Sequence, residues 1–215
     1  MEIRKESIPW GEIGYITYKR TYSRKLNDNN IDSKTEEFED TIERELRACK
    51  TQLSLEFNPG DIELYRKTRL SLKWSVAGRF MWQLGTSTVD KLGLPSLQNC
   101  AGTVVDHPIR PFTWAFEMLM LGSGVGYNIQ KEYVYQLPKV QSSQIKIIRL
   151  DTKDADYIVP DSREGWVKLL GKVLKAHFYN GEGFTYSTQL IRSKDSPIKG
   201  FGGTASGPEE LCWGM

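Results

Sequence analysis

Apolar and polar positions recur along the chain with two different periods, and the changes of period locate its elements. From Ser33 to Phe57, Phe38, Ile42, Leu46 and Leu53 return at multiples of a helical turn, which predicts a helix with one apolar face. Ser33-Lys34-Thr35-Glu36 has the form of a capping box for its start. Pro59-Gly60 interrupts the pattern, and Asp61 is expected to cap a second helix carrying Leu64, Thr68, Leu72 and Val76. Thr103, Val104 and Val105 then favour a strand, which Asp106-His107-Pro108 ends. Pro111 sits where a helix start tolerates proline, and Ile109, Phe112, Phe116 and Leu119 keep helical spacing through Leu121. Gly122-Ser123-Gly124-Val125-Gly126 stops that helix and feeds a strand from Val125 to Ile129. The unit therefore reads strand, helix, glycine loop, strand, with Cys100 at the head of the first strand.

Further along, Gln136 to Val159 predicts a strand-rich insert, with Ile145, Ile147 and Ile148 in one run and Tyr157-Ile158-Val159 in another. Asp161 reads as an N-cap with Glu164 three residues on. Trp166, Leu169, Leu170, Val173 and Leu174 share one face of a helix that ends at Asn180-Gly181. Tyr186 to Ile191 is expected to be a strand, followed by a second glycine-rich segment from Lys199 to Pro208. Near the start, Tyr15, Tyr18 and Tyr22 suit an N-terminal segment docked on a core better than a nucleic-acid stacking platform, and Asn27 to Asn30 is a loop. The pattern gives an α/β chain in two regions: residues 1–80, mainly helical, and residues 81–215, where strands and helices mix.

Charge changes little in this picture. A net charge of +2 from 29 basic and 27 acidic residues exerts no pull towards nucleic acid or a membrane surface. No run approaches the roughly 18 apolar residues of a membrane span, and Met1-Glu2-Ile3-Arg4-Lys5-Glu6 has no apolar signal segment, so a cytoplasmic protein is expected. Three cysteines, Cys49, Cys100 and Cys212, are too few for a disulfide framework, and without a CxxC pair no metal site is expected. Cys49 falls beside the first helical face and reads as a small core residue.

The glycine-rich segments invite a nucleotide reading but do not secure one. Gly122 to Gly126 is GxGxG ahead of a strand, which argues against a dinucleotide-binding turn, and the second segment lacks the Gly-Lys-Ser/Thr of a P-loop. What such glycines supply is backbone that a ligand can approach closely, with amides for phosphate oxygens. Gly85-Thr86-Ser87-Thr88 either bends the backbone or presents amides and hydroxyls to an anion, and its spacing favours the plain turn. A lone cysteine at a strand end is more often core than redox centre, yet its place between two glycine segments shifts the balance towards chemistry.

Asn99-Cys100, Gly122 to Gly126, and Phe201-Gly202-Gly203-Thr204-Ala205-Ser206-Gly207-Pro208 resemble the N-terminal half of the ribonucleotide reductases. Trp10-Gly11-Glu12, Thr17 to Tyr22, Gln136 to Val140 and Ala155 to Trp166 resemble the monomeric, adenosylcobalamin-dependent (class II) ribonucleoside-triphosphate reductases, so the likeness covers nearly the whole chain. The resemblance implies a helical N-terminal region followed by the first part of a ten-stranded α/β barrel, incomplete in this chain. It implies reduction of ribonucleoside triphosphates to deoxynucleotides by a cobalamin-initiated thiyl radical, with Cys100 as the first-strand member of a redox pair. Asn99, Ser123 and Gly124, together with Gly85 and Thr86, would contact substrate, chiefly its phosphates. Asp106 and the segment Gly202, Gly203, Thr204, Ala205 and Ser206 would serve a deoxynucleoside triphosphate effector. A thioredoxin-like reductant and a C-terminal half on a separate polypeptide are the implied partners, with adenosylcobalamin bound mainly by that half. Nothing here matches the family's thiyl-radical cysteine, and Cys212 is read as incidental, so the chain alone is expected to be inactive. Two other readings stay open: a non-catalytic nucleotide-binding fragment that kept the effector site, and a degenerate fragment that does not fold stably.

Overall fold

A computed structural model describes residues 10–26, 32–141, 144–198 and 204–215. The chain divides into two compact units, Met1–Gln98 and Asn99–Met215. The division falls after Gln98 rather than at residue 80, because Met81 and Leu84 are buried with the helices that precede them.

The first unit is helical: α1 (Gly11–Thr21), α2 (Phe38–Thr51), α3 (Pro59–Leu70), α4 (Gly78–Gln83) and α5 (Ser87–Leu92), closed by a 3-10 turn at Leu94–Leu97. Two of its caps differ from the sequence expectation. α2 is capped by Glu37, whose own N–H donates to Asp40 Oδ2 at 2.9 Å, so the capping box lies four residues beyond Ser33. α3 is capped by Asn58 Oδ1, which accepts the Asp61 N–H at 2.9 Å and leaves Pro59 as the first helical residue, where its missing N–H costs nothing. Tyr18, Phe38, Ile42, Leu46 and Met81 form one core; Ala48, Cys49 and Leu84 form another. Two buried ion pairs stiffen it. Arg44 holds Glu36 at 2.7 Å, and Arg69, fully buried beside the Phe38 and Trp74 rings, holds the equally buried Glu45 at 2.8 Å.

The second unit is α/β. β1 (Cys100–Val104), α6 (Arg110–Met120) and β2 (Gly124–Asn128) form a strand–helix–strand unit in which the two strands pair in parallel. His107 Nδ1 accepts the Ile109 and Arg110 amides at 3.0 and 3.2 Å, so a side chain just past the strand starts the helix. Gly122 takes φ 80° and turns the chain out of α6. The short α7 (Lys131–Val134) follows, then β3 (Ile147–Arg149), β4 (Tyr157–Ile158), α8 (Arg163–Lys175) with a π turn at Ala176–Asn180, β5 (Phe184–Ser187) and α9 (Glu209–Trp213). These three strands make a second parallel sheet in the order β3-β5-β4. Val159, Leu169, Val173, Tyr186, Ile191 and Leu211 are its core, so α8 covers one face.

Here too the punctuation moved. The N-cap of α8 is Ser162, whose hydroxyl accepts the Gly165 N–H at 3.1 Å, while Asp161 pairs with Arg192. β5 starts and ends earlier than expected: the Thr188 N–H is taken by the Asp151 carboxylate at 2.6 Å and cannot continue the ladder. Gly183 must be glycine, since a Cβ there would lie 2.2 Å from the Lys146 carbonyl oxygen.

Candidate functional site

The parallel register sets Cys100 opposite Gly124, Gly102 opposite Gly126 and Val104 opposite Asn128. Side chains alternate across a strand, so these six positions share one face of the ribbon. The other face carries Ala101, Thr103, Val125 and Tyr127, and α6 lies on it: the Tyr127 and Phe112 rings sit 5.8 Å apart. On the face away from α6, Cys100, Gly102, Gly124 and Gly126 are exposed while Val104 and Asn128 are half-buried; on the other face Ala101, Thr103 and Val125 are half-buried and Tyr127 reaches the surface. The uncovered face is thus a strip of bare backbone with a thiol at its head.

The three glycines on this strip have no structural reason to be glycine. Their φ values lie outside the left-handed region. A Cβ at Gly102 would meet only the Gly126 carbonyl at 3.9 Å, one at Gly124 only the Asn99 carbonyl at 3.8 Å, and one at Gly126 nothing within 4 Å. Glycine inside a strand costs about 0.5–1 kcal/mol relative to alanine, so the fold would gain from side chains at all three.

The expected substrate residues divide into two sets. Asn99, Cys100, Ser123 and Gly124 come together, because the Gly124 N–H donates to the Asn99 carbonyl at 2.9 Å at the start of the ladder. The expectation of free loop amides fails, however. Gly122 N–H donates to Leu119 O at 2.8 Å and Ser123 N–H to Met118 O at 3.0 Å, so with Gly124 all three amides are spent on turn and ladder. Ser123 itself is buried. Gly85 and Thr86 belong to the first unit, and their groups are engaged there. Gly85, at φ 82°, donates its N–H to Gln52 Oε1 at 2.8 Å, and Thr86 Oγ1 donates to Gln83 O at 2.7 Å. They build a turn.

Of the expected effector residues, Asp106 is exposed just past β1. Thr204 forms an antiparallel bridge with Pro197, Ala205 exchanges backbone hydrogen bonds with Asp195 and Ser196, and Ser206 Oγ donates to Gly207 O at 3.3 Å. Gly202 and Gly203 lie outside the described residues.

One feature the periodicity did not reveal is an open groove of about 720 Å³ at the carboxyl end of the ribbon. Gly102 and Gly126 floor it, and among its other lining residues Asn128 and Gln130 carry uncharged polar side chains. Asn128 and Gln130 brace each other through Asn128 Nδ2 to Gln130 Oε1 at 3.1 Å and Gln130 N–H to Asn128 Oδ1 at 3.0 Å. Burial pushes the Tyr127 phenol, on the face that α6 covers, above its ordinary pKa. Carboxyl ends of parallel strands are where α/β folds take ligands, and this lining suits a sugar or a base better than a phosphate.

Cys49 is buried, and burial, then the Glu45 charge, push its thiol upwards. Cys212 packs at the edge of the second unit's core. Among the described residues, no three His, Cys, Asp or Glu side chains assemble as a metal site, and no helix is long and apolar enough to cross a membrane.

Comparison with known proteins fits this geometry. The family model for the B12-dependent ribonucleotide reductase insertion domain matches residues 130–213, from the rim of the groove to α9. The chain is 30% identical to the adenosylcobalamin-dependent ribonucleoside-triphosphate reductase of Lactobacillus gasseri, over 98% of this chain and 36% of that protein. It is 32% identical to the probable counterpart from Dictyostelium discoideum, over 97% of this chain and 30% of that one. A crystal structure of a B-12 dependent (class II) ribonucleotide reductase superposes with a TM-score of 0.78 at 26% identity, covering 95% of this chain and 36% of the other. The chain thus spans about a third of the length of the curated relatives it matches. The insertion-domain match, the relatives and the solved structure together place the chain in the adenosylcobalamin-dependent, class II ribonucleotide reductase family, as an N-terminal portion of it.

Proposed function

We propose that this chain supplies the reducing thiol and part of the nucleotide-binding surface of a ribonucleoside-triphosphate reductase. The observation that carries the reading is the uncovered face of β1 and β2: an exposed Cys100 followed by three glycines that the fold does not need. Bare backbone lets a sugar lie flat against the sheet within reach of the thiol. Cys100 is the first member of the redox pair. With a second thiol it gives two electrons and two protons to the substrate; the 2′-oxygen leaves as water, and the two sulfurs end as a disulfide. Asn99 fixes the start of the ladder through its carbonyl and so sets where the thiol stands. Gly124 keeps the space beside the thiol open.

Asp106, just past β1, and the segment containing Thr204, Ala205 and Ser206 serve the deoxynucleoside triphosphate effector, while the groove over Gly102 and Gly126 belongs to the substrate strip. Adenosylcobalamin, named in the relatives, is assigned to the remaining length of the reductase. Adjacent strands stand about 4.8 Å apart, so a ribbon of two offers a strip for a sugar but no walls to enclose a corrin. When bound, the cofactor supplies the radical that starts the reaction. The ribbon extends in this reading into the family's ten-stranded barrel.

The test is protection of Cys100. Iodoacetamide labelling, followed residue by residue by mass spectrometry, is run with and without millimolar ribonucleoside triphosphate. The reading expects labelling of Cys100 to slow while that of Cys212 stays constant; an unchanged Cys100 rate at saturating nucleotide defeats it.

A further inference from the structure

The segment after Arg192 closes on itself as a short stem. The Asp195 N–H donates to Ala205 O at 2.8 Å, the Ala205 N–H donates to Ser196 O at 2.8 Å, and Pro197 bridges Thr204 in antiparallel sense. The two sides of the stem abut backbone to backbone, for a Cβ at Gly207 would lie 3.0 Å from Lys194 N. Asp195 takes φ 68°, a left-handed conformation that aspartate adopts more readily than most residues with a Cβ.

Arg192 joins this stem to the rest of the unit. Its Nε donates to Asp161 Oδ2 at 2.8 Å, and its Nη1 donates to the Pro197 carbonyl at 3.5 Å. Asp161 stands between β4 and the Ser162 cap of α8. One guanidinium therefore holds a stem carbonyl and the β4–α8 junction together. Both partners keep about a third of their surface in water, at 37% and 33%. Pairs this exposed hold weakly and are screened by salt, which suits a contact that opens and closes.

We propose that Arg192 is the positioning residue of the stem 194–197/204–207, a clasp whose closure on Asp161 registers the stem against α8. Its regulatory sense rests on the reading above, in which Thr204 to Ser206 respond to the effector. The clasp then passes the state of that segment to the carboxyl edge of the β3-β5-β4 sheet.

The experiment is amide hydrogen exchange on the whole chain, read at Asp195 and Ala205. Arg192→Gln and Asp161→Asn are each expected to speed exchange at both amides about 1.5- to fivefold, the range open to one exposed pair. The double variant should go no faster than either single one. Arg192→Lys should keep part of the protection and lose it as salt is raised. Exchange in α8 and β5 should stay unchanged throughout. Unchanged stem exchange in Arg192→Gln overturns the clasp, as does acceleration spread equally over α8 and β5. Adding a deoxynucleoside triphosphate separates the two claims. Slower stem exchange in the wild type but not in Arg192→Gln supports both. No nucleotide effect in the wild type, with the variants behaving as expected, defeats the effector reading and leaves the clasp standing.

Discussion

Gly124→Val separates the needs of the fold from those of a ligand. Gly124 pairs with Cys100, and a Cβ there meets only the Asn99 carbonyl at an ordinary 3.8 Å. Valine suits a strand, and removing an internal glycine is worth about 0.5–1 kcal/mol to the folded state. The thermal midpoint should therefore hold or rise, by up to about 4 °C for a domain of this size. The isopropyl group, however, projects from the face that carries the thiol, on a strand about 4.8 Å away. It fills the space that a sugar would take beside Cys100, and a ligand that cannot seat loses its contacts outright. Ribonucleotide affinity, read as protection of Cys100 from iodoacetamide, should fall at least about tenfold, or about 1.4 kcal/mol. Equal protection of wild type and variant at the same nucleotide concentration would refute the idea that this face seats the substrate. A loss of more than about 1 kcal/mol of stability would instead mean that the glycine is needed for packing.

Gly183→Ala should destabilise the second unit by about 1–3 kcal/mol in denaturant unfolding, because its Cβ would meet backbone rather than a movable side chain; a shift under about 0.5 kcal/mol would contradict this. Arg69→Met should cost about 3–5 kcal/mol by leaving the Glu45 carboxylate buried and unpaired, and Arg69→Met with Glu45→Leu should recover most of it. Cys49 should react with iodoacetamide far more slowly than Cys100 at pH 8, since burial and Glu45 both hold its thiol protonated; equal rates in the folded chain would count against the packing described. Burial works against the Asp151 carboxylate, but the Thr188 amide and hydroxyl and the Arg149 guanidinium outweigh it and hold its pKa below the ordinary value. Its contribution to stability is therefore complete above the usual aspartate range near about 4 and is lost as the pH falls through the lowered value. Asp151→Asn should flatten the acid limb of a stability–pH curve, and an identical limb would refute this.

Periodicity was enough to find the strand–helix–strand unit around Cys100, since β1, α6 and β2 each announce themselves through local residue preference. It also placed α2, α3 and α8, though not their first residues. Caps depend on which polar side chain wins a contest for the same amides. Glu37 with Asp40, Asn58 and Ser162 won over neighbours that look equally suitable in sequence. β5 was displaced for a long-range reason, the Asp151 carboxylate taking the Thr188 amide across 37 residues.

The candidate site was legible in part. Cys100-x-Gly102 and Gly124-x-Gly126 set their named residues at alternate positions, which already places each pair on one face of a strand. Only the parallel register could show that both pairs share that face and that α6 covers the other. The groove was missed because Thr103, Tyr127, Asn128 and Gln130 form no motif; two strand ends bring them together. Gly85 and Thr86 read from their spacing as a plain turn, with only the resemblance pointing them at substrate, and Gln52 and Gln83 take up their hydrogen-bonding groups in such a turn.

In the proposed function, Cys100 is a reductant consumed once per turnover. The direct measurement combines this chain with the remaining two-thirds of a relative's length, adenosylcobalamin and a ribonucleoside triphosphate, without added dithiol. Deoxynucleotide is quantified by chromatography and the state of Cys100 by mass spectrometry of the alkylated protein. About one deoxynucleotide per chain is expected, with Cys100 recovered in a disulfide in equal amount. Deoxynucleotide formed while Cys100 remains a free, alkylatable thiol would contradict it.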